Sequence, residues 1–180
     1  MNKQHRYRVP SPTIALTFLL INVLLLPRIA IGAEQPQDVY EMEVLGVTAT
    51  PSGDPPAGQS GQTAILLRSK GTKHELTLFV GPFEAHSVAV PLQQMKAPRP
   101  LTHDLTLSLL AALHSRLRRV MITDFKDNIY YATLYIETDG KQITVDSRPS
   151  DAIALALRTG APIYASSKAL DGASADRPLR

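Results

Sequence analysis

The chain has 180 residues, a formal charge of +3 at pH 7 and no cysteine. The lack of cysteine excludes disulfides, thiolate metal ligands and a cysteine nucleophile, so an apolar core alone must hold the fold. Four of the 19 Lys and Arg side chains lie in the segment 1–33, which contains no acid, so the rest of the chain has 15 cationic and 16 acidic side chains. This balance excludes a protein that binds nucleic acid through overall basicity.

The segment 1–33 has the composition of a secretory signal. Cations precede an apolar run at 14–26, and small residues stand just before Glu34. The apolar run is shorter than the ~20 residues that cross a bilayer core, so a permanent membrane anchor is the weaker alternative. We therefore predict a signal peptide at 1–33 that is cut near Ala33, no stable membrane insertion afterwards, and a periplasmic or secreted protein.

After position 33 the pattern alternates between strand-like and helix-like segments. In chain order it predicts strands at 39–48, 63–68 and 75–80, followed by helices at 82–90 and 102–115. It then predicts strands at 118–123, 129–138 and 142–145, a helix at 149–158 and a strand at 162–165. The segment at 51–62 is rich in Pro and Gly, which predicts a loop.

Local signals define the second and third helices. Thr102 is a good N-cap, and an apolar stripe is predicted by leucines at helical spacing, namely Leu105, Leu109, Leu110 and Leu113. The helix at 149–158 is apolar nearly all round, so we predict that it is buried.

The order of the elements indicates the fold class. Asp139-Gly140 between two predicted strands is a strong signal for a hairpin with a two-residue turn. The order βββααβββαβ predicts an α+β domain at 34–170, with three helices on a mainly antiparallel or mixed sheet. A flexible tail is predicted at 171–180.

All three predicted helices begin with ionisable side chains. Glu84 lies in the first turn of the first helix, His103 and Asp104 in that of the second, and Asp151 in that of the third. A carboxylate in this position stabilises a helix by about 0.3–1 kcal/mol because it lies at the positive end of the helix dipole. Each acid taken alone is therefore explained by capping.

As a set, the same residues match what a phosphodiester hydrolase needs. Such an enzyme requires carboxylates or imidazoles to hold a divalent cation or move protons, and a cation or helix start to hold the phosphate. The first group comprises Glu84, His103, Asp104, Asp146 and Asp151, and the second comprises Arg99, Arg148 and the helix starts. Asp146 and Asp151 flank Arg148 at a strand-to-helix junction, where ligands commonly bind in sheet-based folds.

Two further groups of residues have alternative interpretations. The basic run with Arg116, Arg118 and Arg119 is either a phosphate-contacting patch or a solvated helix end, and we favour the helix end. Three tyrosines could stack on bases, namely Tyr130, Tyr131 and Tyr135, but Tyr131 and Tyr135 lie on one face of the predicted strand, so we favour core packing.

Three stretches, taken together, resemble a known family. They are DSRPSDAIALALR at 146–158, RPLTHDL at 99–105 and VGPFEA at 80–85, and they are similar to the signatures of the bifunctional nuclease (DNase/RNase) domain family. The segment APIY at 161–164 is similar to the short strand that follows in that family. The resemblance extends over roughly 39–170, although the Pro- and Gly-rich loop reads as an insertion.

The resemblance implies an α+β domain that acts on DNA and RNA. It implies a candidate site at Asp146, Arg148, Ser150 and Asp151, with Glu84, His103 and Asp104 as companions. On this basis we assign the aspartates at 146 and 151 to metal binding or water activation. Arg148, Ser150 and Arg99 are assigned to substrate binding, and the His103–Asp104 pair to proton transfer or a second carboxylate site.

We therefore predict an exported nuclease that hydrolyses phosphodiester bonds of DNA or RNA. Its expected cofactor is a divalent cation, Mg²⁺ or Mn²⁺, with no organic cofactor, and its expected partner is the nucleic-acid substrate. The alternative is a non-catalytic exported module for binding or self-association, in which the motif residues are structural caps and ion pairs. A homo-oligomer is compatible with either hypothesis.

Overall fold

The structure is a computed structural model that describes residues 38–49 and 63–175. The predicted signal peptide at 1–33, the predicted loop at 51–62 and positions 176–180 of the predicted tail lie outside the described residues. Within the two described ranges, no helix combines the length and the apolar character needed to cross a membrane.

Seven strands and four helices make up the described part of the chain. The strands are β1 (Val39–Ala49), β2 (Thr63–Ser69), β3 (Glu75–Val80), β4 (Ser115–Lys126), β5 (Ile129–Thr138), β6 (Lys141–Ser147) and β7 (Ile163–Ser166). The helices are α1 (Pro82–Leu92), α2 (Thr102–Ala112), α3 (Pro149–Thr159) and α4 (Ser167–Ala175). The predicted α+β class is confirmed, and the predicted order is confirmed up to β7.

The strands form one mixed sheet in the order β3-β2-β1-β7-β4-β5-β6. The strands β1 to β3 pair antiparallel, and so do β4 to β6. The short strand β7 lies between these two halves, antiparallel to β1 and parallel to β4. One strand from the end of the chain therefore connects the two halves.

Left-handed backbone occurs at two places where an element ends, the turn between β5 and β6 and the end of α3. Asp139 and Gly140 both have positive φ, 48° and 72°, and they join β5 to β6 as the sequence predicts. Gly160 has φ 70° and ends α3 in the left-handed conformation that glycine adopts without strain.

The core lies between α3 and the sheet. Side chains alternate along β4 and β5, so Val120 and Ile122 are buried on one side together with Ala132, Leu134 and Ile136. The predicted burial of the third helix is confirmed, because every residue from Ala152 to Ala156 is at most 3% exposed.

The prediction for the second helix was wrong in its end, its N-cap and most of its stripe. The helix α2 ends at Ala112, and its N-cap residue is Leu101 and not Thr102. No residue of α2 is fully buried: Leu110 of the predicted stripe packs partly buried against the core, but the other three leucines, Leu105, Leu109 and Leu113, are 54%, 56% and 70% exposed. The basic run belongs to β4 and not to a helix end, because the strand begins at Ser115.

Core packing of the two tyrosines was also a wrong interpretation. In the pairing of β4 with β5, Tyr135 lies opposite Arg119, and its neighbours Leu134 and Ile136 are the buried residues. Tyr135 and Tyr131 therefore lie on the opposite face of the sheet, which we call the outer face. The guanidinium of Arg119 lies 4.1 Å from the centre of the Tyr135 ring.

The last helix, α4, covers 167–175, where the sequence predicts only a polar segment and then a tail. Ala169 and Leu170 of this helix are buried in the core. The part of the predicted tail at 171–175 is therefore helical.

Candidate functional site

The first turns of three helices bring four ionisable side chains together. Glu84 is the third residue of α1, His103 the second of α2 and Asp151 the third of α3, while Arg148 is the N-cap residue of α3. We call these four residues the helix-start cluster. The N-terminal ends of helices carry partial positive charge, which favours the carboxylates of the cluster at these positions.

Arg148 is held by two carboxylates from two helices. Its Nε donates to Asp151 Oδ2 at 2.7 Å, its Nη2 to Asp151 Oδ1 at 3.1 Å and its Nη1 to Glu84 Oε1 at 3.0 Å. A guanidinium has five N–H groups, so two remain for another acceptor. The side chain is 64% exposed, so solvent and a ligand can reach it.

His103 is held by the same aspartate. Its Nε2 lies 3.1 Å from Asp151 Oδ1, and the His103 side chain is 15% exposed. An ionised carboxylate only accepts hydrogen bonds, so Nε2 carries the proton in this pair, and Nδ1 is the acceptor of the neutral ring. Within the described residues, Nδ1 forms no hydrogen bond.

The contacts of Asp151 determine its charge state. Burial would raise the pKa of Asp151, but the hydrogen bonds from Arg148 and His103 outweigh burial and place the pKa below its usual value. The hydrogen bond and charge of Asp151 raise the pKa of Arg148 in turn. Both members of the ion pair are therefore charged at neutral pH.

Gly81 allows the Glu84 carboxylate to fold back over the start of α1. A Cβ added at Gly81 would lie 2.6 Å from Glu84 Oε2. The residue before the helix therefore contributes to the position of the carboxylate that bonds to Arg148.

Asp146 is not part of the helix-start cluster. In β6 it pairs with Thr133, while its neighbour Val145 pairs with Leu134, which is only 7% exposed. Because successive strand residues point to opposite faces, Asp146 lies on the outer face, away from the core and α3. The Asp146 side chain forms no hydrogen bond or ion pair with the described residues.

Asp104 directs its carboxylate away from the cluster, although it follows His103 in the sequence. Its Oδ2 accepts from the backbone N–H of Leu101 at 2.8 Å, and its Oδ1 accepts from Arg158 Nε at 2.7 Å. The pKa of Asp104 lies below its usual value. The hydrogen bond from the Leu101 N–H is the larger cause, and the hydrogen bond from Arg158 is the second. Capping and an ion pair thus occupy this carboxylate.

Arg158 is a residue of this region that the sequence analysis did not identify. Its side chain is only 7% exposed, and its Nη1 donates to the backbone oxygens of Ser87 and Ala154. The sequence signal for a buried, paired arginine was its position in the last turn of a helix that is apolar nearly all round, two turns after Asp151. Long cations in buried segments are rare unless they are paired.

The remaining predicted residues lie outside the helix-start cluster. Arg99 is exposed and lines a hollow of about 460 Å³ together with Asp104 and Arg158. Ser150 is only 4% exposed, so little of its side chain is accessible to a substrate. The structure thus brings together Glu84, His103, Arg148 and Asp151, and it separates Arg99, Asp104, Asp146 and Ser150 from them.

The donors of the cluster do not fit a divalent cation in this arrangement. Among the described residues, no three His, Asp or Glu side chains form a group that could hold a metal ion. Both oxygens of Asp151 bond to cationic or N–H donors, and Asp146 lies on the other face of the sheet. The metal role of Asp146 and Asp151 stays a prediction, and we derive no chemical step through a cation.

Comparison with known proteins shows similarity over most of the described chain. The family model of the bifunctional nuclease domain matches residues 65–178. An uncharacterized protein of Mycobacterium tuberculosis (strain ATCC 25618 / H37Rv) is 42% identical over 103 residues, which are 57% of this chain and 61% of that protein. Bifunctional nuclease 1 of Oryza sativa subsp. indica is 29% identical over 104 residues, which are 56% of this chain and 31% of that protein. The chain thus matches less than two thirds of the length of these relatives.

Proposed function

The chain belongs to the bifunctional nuclease domain family, and we propose that its domain hydrolyses phosphodiester bonds of DNA or RNA at the helix-start cluster. The observation that carries this proposal is the contact of one aspartate with both a histidine and an exposed arginine. The histidine is a proton acceptor and the arginine is a phosphate-binding cation, so the shared aspartate holds both functions in one accessible place.

The arginine binds and orients the substrate. The two free N–H groups of Arg148 donate to the non-bridging oxygens of a phosphodiester, while Glu84 and Asp151 hold the guanidinium plane in position. The starts of three helices add partial positive charge next to the same phosphate. This offsets part of the repulsion from the two carboxylates.

The histidine moves the proton. Asp151 fixes the His103 ring through Nε2, so Nδ1 takes a proton from a water molecule as the water oxygen attacks phosphorus. The new P–O bond forms as the bond to one nucleoside oxygen breaks. That oxygen leaves with a proton, supplied by solvent or by the imidazolium.

A cleavage assay with matched variants tests the proposal. We expect the purified mature domain to cleave labelled single-stranded DNA or RNA, and His103→Gln and Asp151→Asn to lower the rate at least ~100-fold, the usual contribution of a general base. His86→Gln is the control, because His86 is exposed on α1 outside the cluster. Circular dichroism and the melting temperature check that each variant folds.

The same assay decides the metal question and the alternative function. Parallel reactions contain EDTA, Mg²⁺ or Mn²⁺, and Asp146→Asn is included because the predicted metal site requires Asp146. Cleavage in EDTA that Asp146→Asn leaves unchanged supports the metal-free step. If the wild-type domain cleaves nothing in any of these buffers and Asp151→Asn only lowers the melting temperature, the non-catalytic binding module is the better hypothesis.

We propose that the domain acts outside the cytoplasm. The support is compositional: cations at the start of the chain, an apolar run at 14–26 and small residues before Glu34. Cell fractionation and the intact mass of the full chain expressed in an exporting host test this. We expect a periplasmic or extracellular product that begins at Glu34, and an uncut chain in the cytoplasm would contradict it.

A further inference from the structure

A hollow lined by two arginines adjoins the first turn of α2. The hollow of about 460 Å³ is lined by Arg99, Asp104, Arg158, Met95, Pro91 and Ser108, among others. Two arginines and one aspartate give these residues a net charge of +1. The hollow therefore favours an anionic ligand.

Arg158 lines this hollow and has an unused hydrogen-bond donor. Its Nε and Nη1 are bonded, but its Nη2 is buried and has no partner among the residues that the structure describes. A buried donor on a charged group that lacks a partner is destabilising, so such groups normally have one. A ligand oxygen that enters the hollow and displaces the side chain covering Nη2 would supply that partner.

Arg99 provides the second cation. Its side chain is exposed, lies at the same hollow and forms no ion pair with the described residues. The guanidinium of Arg158 is fixed by burial, whereas the exposed guanidinium of Arg99 is free to move onto a ligand. Paired arginines of this kind suit a phosphate oxygen better than a neutral acceptor.

The position of this hollow relates it to the helix-start cluster. Arg158 lies ten residues after Arg148, the N-cap of α3, which is about 15 Å along the helix axis. The first turn of α2 contacts both sites, because His103 forms a hydrogen bond with Asp151 of the cluster and Asp104 accepts one from Arg158 at the hollow. Phosphates of one strand rise about 3.4 Å per nucleotide in a duplex and lie further apart when stretched, so one strand spans both sites within about five nucleotides.

We propose that the hollow between Arg99 and Arg158 binds a second phosphate of the same strand, so that the substrate is a polynucleotide and not a single phosphodiester. This inference rests on the proposed function for the identity of the strand. The hollow itself requires only a phosphate, which Arg158 Nη2 and Arg99 bind from two sides.

Binding as a function of strand length tests the proposal. Fluorescence anisotropy is measured with labelled thymidine oligomers of two and six nucleotides in the His103→Gln background, which prevents cleavage and leaves both carboxylate partners of Arg148 in place. We expect the six-nucleotide strand to bind more tightly, and Arg99→Gln to remove about fivefold of that advantage, the loss of one exposed charge contact. Lys96→Gln is the matched control, because Lys96 is an exposed cation in the same connecting segment that does not line the hollow.

A second variant tests the buried donor. Arg158→Lys keeps a cation next to Asp104 but removes Nη2, so a folded variant should lose the same length advantage as Arg99→Gln. If Arg158→Lys lowers the melting temperature below the assay range, Arg99→Gln alone decides. An Arg99→Gln variant that binds both strands as the Lys96→Gln control does would overturn the proposal.

The outcomes separate this inference from the proposed function. Cleavage by the wild-type domain without any effect of Arg99→Gln supports the nuclease and contradicts the second phosphate site. An Arg99-dependent length advantage without cleavage supports the site and contradicts the nuclease.

Discussion

Two aspartates at the same position of two helices have different tasks. Asp104 and Asp151 are each the third residue of a helix, but Asp104 bonds to a buried arginine and Asp151 to an exposed arginine and a histidine. Helix capping explains the residue type at both positions, as the sequence suggests. The partner across the structure determines whether the carboxylate is available to a ligand.

Replacing Asp104 should cost stability in a way that depends on pH. Asp104→Asn leaves the buried Arg158 without its carboxylate, and because Asp104 is 39% exposed we expect a loss of about 2 kcal/mol, less than for a fully buried pair. The folded pKa of Asp104 is lowered, so its stabilisation is present above the usual carboxyl pKa and is lost as pH falls through the folded value. Thermal melts from pH 7 to pH 2.5 should show the difference between wild type and variant shrinking below about pH 4.

The matched control for this measurement is Asp146→Asn. Asp146 is exposed on the outer face and has no ion pair with the described residues, so the melting temperature of this variant should equal that of the wild type. A difference for Asp104→Asn that stays constant down to pH 2.5 would contradict the assigned ion pair.

The residue types of the candidate site were predictable from the sequence, but their grouping was not. Helix starts and a strand-to-helix junction indicated Glu84, His103, Arg148 and Asp151. The face on which Asp146 lies depends on the register of β6 with β5, which one residue of slip would reverse. The pairing of Asp104 with Arg158 joins residues 54 positions apart, and no local pattern encodes it.

At the scale of elements, α4 shows how packing produces a helix that the local pattern does not predict. Its sequence is polar and contains Gly172, which disfavours a helix. Buried Ala169 and Leu170 place it in the core, and Gly172 lies against the ring of Phe125 at the end of β4. Tertiary contact therefore outweighs the low propensity.

Enlarging Gly172 should destabilise the contact of α4 with β4. A Cβ at this position would lie 2.6 Å from Phe125 Cβ and Cδ1, so Gly172→Ala should cost about 1–3 kcal/mol in packing and regain about 1 kcal/mol in helix propensity. We expect a net loss of about 1 kcal/mol, or a melting temperature about 2–4 °C lower.

Two further variants make this prediction specific. The exposed neighbour Asp171→Ala should leave the melting temperature nearly unchanged. In a Phe125→Ala background, Gly172→Ala should cost less than in the wild type, because the ring atoms have gone and only the Phe125 Cβ contact remains. An equal penalty in both backgrounds would show that the ring of Phe125 is not the contact involved.

The elements themselves were largely predictable, and the exceptions have physical causes. The hairpin at Asp139-Gly140 and the buried α3 follow from turn chemistry and apolar content. The leucine stripe of α2 has the helical period, but the period alone does not show whether another element covers it. The start of β4 carries exposed charges, which are not a typical strand pattern, and for this reason the basic run was assigned to a helix end.

For the whole molecule, the net charge is close to zero, so attraction for a nucleic acid must come from local groups of cations. Without the segment 1–33 the chain is close to neutral, with 15 cationic and 16 acidic side chains. Three arginines at the two proposed phosphate sites, Arg99, Arg148 and Arg158, would therefore supply most of the attraction for a strand. The arginines of the outer face are partly neutralised, since Arg116 and Arg118 share Glu137.

Binding of a strand should depend only weakly on salt. With two or three phosphates neutralised, the logarithm of the affinity for single-stranded DNA should fall with the logarithm of salt with a slope of about −1.4 to −2. Titrations at several salt concentrations measure this slope, and Arg119→Gln on the outer face should leave it unchanged. A slope steeper than about −4, reduced by Arg119→Gln, would instead identify the outer face as the main binding surface.

The placement of β7 has a consequence for the newly made chain. The first half of the sheet can pair once residue 80 has been synthesised, and the second half once residue 147 has, but the strand that joins them spans only 163–166. Until those residues emerge, β1 and β4 each present an unpaired row of N–H and C=O groups to any neighbouring strand. A ribosome that stalls, or a protease that removes the segment after Gly160, would therefore leave a molecule prone to aggregation and not merely an inactive one.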